Sequence, residues 1–227
     1  MPNRTSAYDQ LLLTCQPYGA SLVAVSKLRS IPEMMVLYDL GQRVFAENKV
    51  QEILTKAPLM PADVEWHLIG HLQTNKVKAI LPVVRCIQSM DSERLWEKIN
   101  GEANKLNKTI DVLLQIKIAQ EESKYGWDFD ELLKVIQSGL PASWKSIKVR
   151  GVMGMATLTD DVQQVRKEMR QLKLYFDQLK STVYSTLPEF NVISMGMSGD
   201  YKIALEEGSN MIRVGTLVFE GRIANNE

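Results

Sequence analysis

Lys27 is the first residue in this chain with a distinct chemistry. It follows Ser26 and the all-apolar run Leu22-Val23-Ala24-Val25. An amine confined over an apolar interior is a nucleophile for an aldehyde; the same lysine turned outward is an ordinary solvated side chain. Two segments near the other end, Ser198-Gly199-Asp200 and Gly215-Thr216, have the make-up of an anion cradle. They offer hydroxyls, and backbone amides that an anion can approach closely because glycine has no side chain. Tight turns would use the same glycines. Arg213, between Ile212 and Val214, puts a guanidinium inside an apolar run. There it needs either a buried carboxylate, such as Glu47, or a bound polar ring.

Other chemistries are excluded by residue type and spacing. His67 and His71 are the only histidines, and neither joins cysteines or carboxylates in a metal-binding pattern. Cys15 and Cys86 form no disulfide framework, so a reduced, cytoplasmic setting is expected. Glycine-rich nucleotide loops are absent. Glu121-Glu122 and Asp160-Asp161 read as loop and helix-start residues rather than a hydrolytic pair. Lys plus Arg equals Asp plus Glu, at 27 each, which leaves no positive surplus to reward a nucleic-acid partner. No apolar run approaches membrane-spanning length, so no membrane partner is expected.

These residues must be positioned by the elements around them. Eight short strands are expected, at Ser21–Ser26, Arg43–Asn48, Glu65–Gly70, Cys86–Met90, Asp111–Ile118, Ile147–Met155, Asn191–Met197 and Met211–Thr216. Several are apolar on both faces, as parallel strands covered on both sides are. Helical periodicity fills the gaps. Asp160-Asp161 opens a long stripe through Val162, Val165, Met169, Leu172, Phe176, Leu179 and Val183. Asp91 is expected to cap a helix bearing Leu95, Trp96, Ile99 and Leu106, Asp128 one bearing Leu132, Leu133 and Ile136, and Pro32 to sit near the start of another. A short helix over Tyr8–Cys15 precedes the first strand. With 227 residues and no linker, the reading is one domain over 1–227, a modified (β/α)8 TIM barrel whose active face lies at the strands' carboxyl ends. Lys27, Glu47-Asn48, His67, His71, Ser198 and Gly215 all fall at such ends.

The motifs also carry a resemblance. Val23-Ala24-Val25-Ser26-Lys27, Phe45-Ala46-Glu47-Asn48 with Val50-Gln51-Glu52, Trp66-His67-Leu68-Ile69-Gly70 and Leu72-Gln73-Thr74-Asn75-Lys76 resemble the pyridoxal phosphate homeostasis proteins. Ser194-Met195-Gly196-Met197-Ser198 and Ile212-Arg213-Val214-Gly215-Thr216 complete the set, in order, from about Leu22 to Arg222. That family is related to the N-terminal barrel of alanine racemase.

The resemblance implies a barrel that binds pyridoxal 5′-phosphate (PLP). Lys27 matches the lysine that forms the Schiff base. Ser198, Gly199, Gly215 and Thr216 match the phosphate cradle, and Arg213 the partner of the ring nitrogen. Asn48, His67 and Met195 match residues lining the cofactor site. Asn75 and Lys76 match a motif near its mouth, and Glu122-Ser123-Lys124-Tyr125-Gly126 a loop affecting access. Departures are Gly199, where relatives often have an acid, His71, where many have proline, and Phe219-Glu220-Gly221-Arg222. The implied role is to buffer or deliver the cofactor, with PLP-dependent apoenzymes as partners and a monomeric state. The alternative is a racemase, which needs a second acid–base group on the far face; Tyr125 and Tyr201 are the tyrosines near enough in sequence to the strand ends. A barrel serving only as an interaction module is the third reading.

Overall fold

A computed structural model of the chain describes residues 7–121, 125–139 and 145–220. Eight strands form a closed barrel in sequence order, each parallel to its neighbours. They are β1 Ser21–Val25, β2 Val44–Glu47, β3 Glu65–Leu68 and β4 Cys86–Met90, followed by β5 Ile110–Gln115, β6 Ile147–Met153, β7 Val192–Ser194 and β8 Met211–Val214. All eight expected strands are present, most of them shorter at the carboxyl end, because the chain leaves the ladder to form the loops above it. The helices are α1 Ala7–Cys15, α2 Ile31–Asp39, α3 Val50–Lys56, α4 Val77–Ile80, α5 Glu93–Lys105, α6 Phe129–Gln137, α7 Val162–Thr182, α8 Tyr201–Glu206 and α9 Thr216–Glu220. No described helix is long and apolar enough to cross a membrane.

Period-two alternation divides the strands between two cores. Outward residues such as Leu22, Ala24, Phe45, Trp66, Leu68, Val112, Leu114 and Ile212 join the helices in one large buried cluster. Inward residues make two smaller groups, Val23–Val25–Ala46 and Cys86–Leu113–Met153. Above them the barrel interior turns polar, with His67, Gln88, Gln115, Ser194 and Arg213 all buried. Gly151 is required where β6 meets β7, since a Cβ there would lie 1.8 Å from the Val192 carbonyl oxygen.

Caps behave as the sequence suggests at two sites. Asp161 accepts from the amides of Gln163 and Gln164, and Asp128 from those of Asp130 and Glu131, each stabilising its helix by roughly 1 kcal/mol. Asp91 does not cap α5. Ser92 holds that position, and the Asp91 carboxylate instead meets His71 Nδ1 at 2.7 Å. The stripe of α7 is buried from Val165 to Leu179, but Val162 and Val183 are exposed at its ends, as is Leu106 beyond α5. A capping box not foreseen opens α2: the Glu33 carboxylate accepts from both the amide and the hydroxyl of Ser30. The 140–144 connection expected as a loop and the polar tail lie outside the described residues, as do Gly221 and Arg222 of the closing Phe219-Glu220-Gly221-Arg222 motif.

Candidate cofactor site

One cavity of about 450 Å³ opens at the carboxyl ends of the strands. Lys27, Asn48, Ser198, Gly199, Arg213, Gly215 and Thr216 all line it. Strands distant in sequence meet here because β8 closes on β1, with Arg213 opposite Val23 in register.

The buried floor is a directional hydrogen-bond chain. Arg213 Nη1 donates to Ser194 Oγ at 2.7 Å, the Ser194 hydroxyl donates to Gln88 Oε1 at 2.7 Å, and Gln88 Nε2 donates to His67 Nδ1 at 2.9 Å. Arg213 Nη2 donates to the Gly154 carbonyl at 2.9 Å. Burial presses the His67 imidazole down to about 4, so it is neutral at ordinary pH, with Nδ1 free to accept. Burial also lowers Arg213, to about 10, a value at which it is still a cation at neutral pH. The carboxylate proposed as its partner is elsewhere: Glu47 points outward to Ser26 and Lys56. Arg213 makes no ion pair among the described residues and has committed two of its five N–H donors.

The loop after β7 is shaped from within. The Met197 amide donates to Asp200 Oδ1 at 2.6 Å, while the amides of Asp200 and Tyr201 return to the Met197 carbonyl. This tight turn leaves the amides of Ser198 and Gly199 and the Ser198 hydroxyl without partners among the described residues. Gly196 has φ +97°, and a Cβ there would sit 2.6 Å from that of Ala204, so the chain can turn only at glycine. A Cβ on Gly199 would meet nothing within 4 Å, which places its bare backbone against open cavity space. Gly215 rests on the Val25 carbonyl, where a Cβ would come within 3.0 Å. Hydroxyls and glycine backbone from two loops, beside a guanidinium that the Asp200 charge favours from a distance but no carboxylate pairs with among the described residues, are a donor set suited to a phosphorylated aromatic aldehyde with an amine to receive it.

Not every expected residue stands where it was placed. Of the two readings of Lys27, the exposed one holds, although the residue lines the cavity. His67 lies beneath the cavity, not on its wall, at the foot of the Arg213 chain. Met195 faces away from the cavity, fully buried in the core between barrel and helices. Asn75 also lies apart, in a surface groove against α5, and Lys76 is exposed beside it. Of the access loop, Glu122, Ser123 and Lys124 fall outside the described residues; Tyr125 reaches the cavity and stacks on His71 with ring centres 4.0 Å apart. Tyr201 does not line it.

Sequence reasoning missed Arg29, Ile69, Gly70 and Gln115 on the wall, and assigned no role there to Met155 or Met197. Gln115 was within reach, since it alternates inward after Asp111 and Leu113 on β5. Its amide donates to the Tyr125 carbonyl at 2.7 Å and so holds the aromatic rim in place.

Comparison with known proteins agrees with this geometry. The family model for the alanine racemase N-terminal domain matches residues 8–222. The pyridoxal phosphate homeostasis protein of Aquifex aeolicus is 36% identical over 204 residues, covering 89% of this chain and 87% of that one. The structure of PipY from Synechococcus elongatus with PLP bound superposes with a TM-score of 0.81 at 32% identity, over 94% of this chain and 99% of that one. Alanine racemase from Bartonella henselae, with covalently bound pyridoxal phosphate, shares the fold at a TM-score of 0.72 and 18% identity, over 93% of this chain and 56% of that one.

Proposed function

The chain belongs to the alanine racemase N-terminal domain family, among the pyridoxal phosphate homeostasis proteins, and from that premise we propose that it binds PLP and maintains the cellular pool of that cofactor. The observation that carries the reading is the convergence of an amine, two anion-holding loops and an unpaired buried guanidinium on a single cavity.

Each group has a part. Lys27 supplies the amine for a Schiff base. The loops at Ser198-Gly199 and Gly215-Thr216 hold the phosphate, and Asn48 borders the ring. The bound group supplies an aldehyde that condenses reversibly with amines. Arg213, a permanent donor, would meet the ring nitrogen without giving it a proton, and so would leave the ring a weak electron sink. That suits holding and release rather than turnover at the amino-acid α-carbon, and the role is binding, not catalysis. Racemases share the fold alone at this identity, and Tyr125, the tyrosine at the mouth, is engaged face to face with the His71 ring.

On this reading one barrel unit does the whole task, as a monomer in the cytoplasm. It takes PLP-dependent apoenzymes as recipients, with no nucleic-acid or membrane partner. The test is a visible spectrum of the purified protein, then borohydride reduction and peptide mass mapping, with Lys27→Ala alongside. A yellow protein carrying reduced pyridoxyl phosphate on Lys27 is expected. Attachment elsewhere would sink the role of Lys27, and a colourless protein that refuses added PLP would sink the function.

A further inference from the structure

The geometry points to Lys56, with Glu47 and Glu52, as a clamp outside the barrel that fixes the backbone on both sides of Lys27 and so positions its amine. The inference rests on the reading of Lys27 as the amine that meets the cofactor. Lys56 stands at the end of α3, in the layer between barrel and helices. Its ammonium spends three donors on three oxygens: the Ser26 carbonyl at 2.8 Å, Glu47 Oε1 at 2.7 Å and Glu52 Oε2 at 3.1 Å. Glu47 is fully buried and also accepts from the Ser26 hydroxyl at 2.6 Å. On the other side of Lys27, the Leu28 amide donates to Glu52 Oε2 at 3.1 Å.

The residue so bracketed is followed by a strained one. Leu28 has φ +62°, a left-handed conformation unusual for leucine, and its side chain is 89% exposed. Neither feature gains anything from packing. Such a conformation persists only where surrounding contacts over-determine it, and the Glu52–Lys56 pair supplies those contacts. The Arg29 amide closes the turn on the same Ser26 carbonyl at 3.0 Å. An exposed lysine on an unsupported loop would sweep a wide volume, and forming the covalent link would then cost the entropy of finding the aldehyde. The clamp removes the backbone part of that cost while touching neither the phosphate loops nor Arg213.

That separation gives the test. Affinity of the full chain is measured for PLP and for pyridoxine 5′-phosphate, which keeps ring and phosphate but carries an alcohol in place of the aldehyde. For Lys56→Met, PLP binding should weaken about tenfold or more, from the loss of charge-assisted hydrogen bonds. Pyridoxine 5′-phosphate binding should stay within about twofold, because its contacts are independent of the clamp. Lys56→Arg should restore much of the loss. Glu52→Gln, at a more exposed position, takes the negative charge from the acceptor that Lys56 and the Leu28 amide share, with less risk to folding, and should act in the same direction. Equal weakening of both ligands, or no change in either variant, overturns the clamp. If wild-type protein traps no pyridoxyl group on Lys27 with borohydride, the reading beneath it fails as well. If trapping succeeds and the variants bind PLP normally, the clamp alone falls.

Discussion

Acidification should cost this protein stability through His67. Burial, and to a lesser extent the nearby Arg85 guanidinium, presses its imidazole from 6.5 to about 4. Between those values the unfolded chain takes up a proton that the folded state refuses. Stability therefore falls as pH drops through that window, and above it the group adds no slope. A gap of about 2.5 between the two values corresponds to roughly 3 kcal/mol, a large share of a domain's net stability. The hydrogen-bond chain gives the same sign. A proton on Nδ1 would face the Gln88 amide, itself a donor; turning Gln88 round to accept it would take the acceptor from the Ser194 hydroxyl, the partner of Arg213. Urea unfolding of wild type and His67→Gln, at intervals between about pH 7 and pH 4, measures the effect. Glutamine keeps an acceptor near Gln88 and does not titrate. Wild type should lose about 3 kcal/mol more than the variant across the window. Parallel pH curves would mean that the fold does not hold His67 neutral, and the reasoning would be wrong.

Other outcomes follow from single contacts. Gly70→Ala would place a Cβ 2.1 Å from the Asn48 carbonyl oxygen, so it should displace Asn48, cost roughly 1–3 kcal/mol in a melt and abolish tight PLP binding. Gly199→Ala meets no protein atom within 4 Å and should leave the melting temperature unchanged while weakening PLP and inorganic phosphate alike; equal affinities would exclude Gly199 from the cradle. Arg213→Met removes a buried cation that no carboxylate pairs with directly, the Asp200 charge acting on it only at a distance, so the ligand-free protein should melt within about 4 °C of wild type or above it while PLP binding weakens; a larger drop would show that Arg213 is structural. Cys15 and Cys86 are buried, with thiols pushed above their ordinary range, so a thiol reagent should label neither under native conditions and both in urea; rapid native labelling would contradict their burial.

The barrel was legible in the sequence because eight short apolar runs, several apolar on both faces, alternate with longer segments of helical periodicity. Helix starts were legible where an acid had no competing partner, as at Asp128 and Asp161, and misread at Asp91, whose carboxylate is engaged by His71. Alternation along a strand tells which way a side chain points but not how deep it lies. On β3 it puts His67 inside the barrel, yet Ile69 and Gly70, one step higher, form the cavity wall. Met195 was misplaced for another reason. Only the resemblance placed it at the site; Ser194 points inward to Gln88 and Arg213, so alternation by itself turns the next residue outward into the layer between barrel and helices. Tyr125 depends on the chain folding back after β5, through the Ile116–Trp127 bridge, a long-range event that no local pattern records.

The distribution of burial within the site bears on release as well as binding. Arg213, Ser194, Gln88 and His67 are buried and joined in one hydrogen-bond chain, so the floor is rigid and specific. Lys27, Asn48, Gly199 and Thr216 are exposed, and the rim is a stacked pair, His71 and Tyr125, with Tyr125 57% exposed. An enzyme working on a carbanion would need that mouth closed against water. A holder needs the reverse, because water or an incoming amine must reach the link proposed at Lys27 for the cofactor to leave. Opening the rim further should therefore speed release more than it weakens the seat. Tyr125→Ala should raise the rate at which PLP passes to a competing amine, with little change in affinity for pyridoxine 5′-phosphate. A slower transfer would assign the aromatic rim to the exit path itself rather than to its cover.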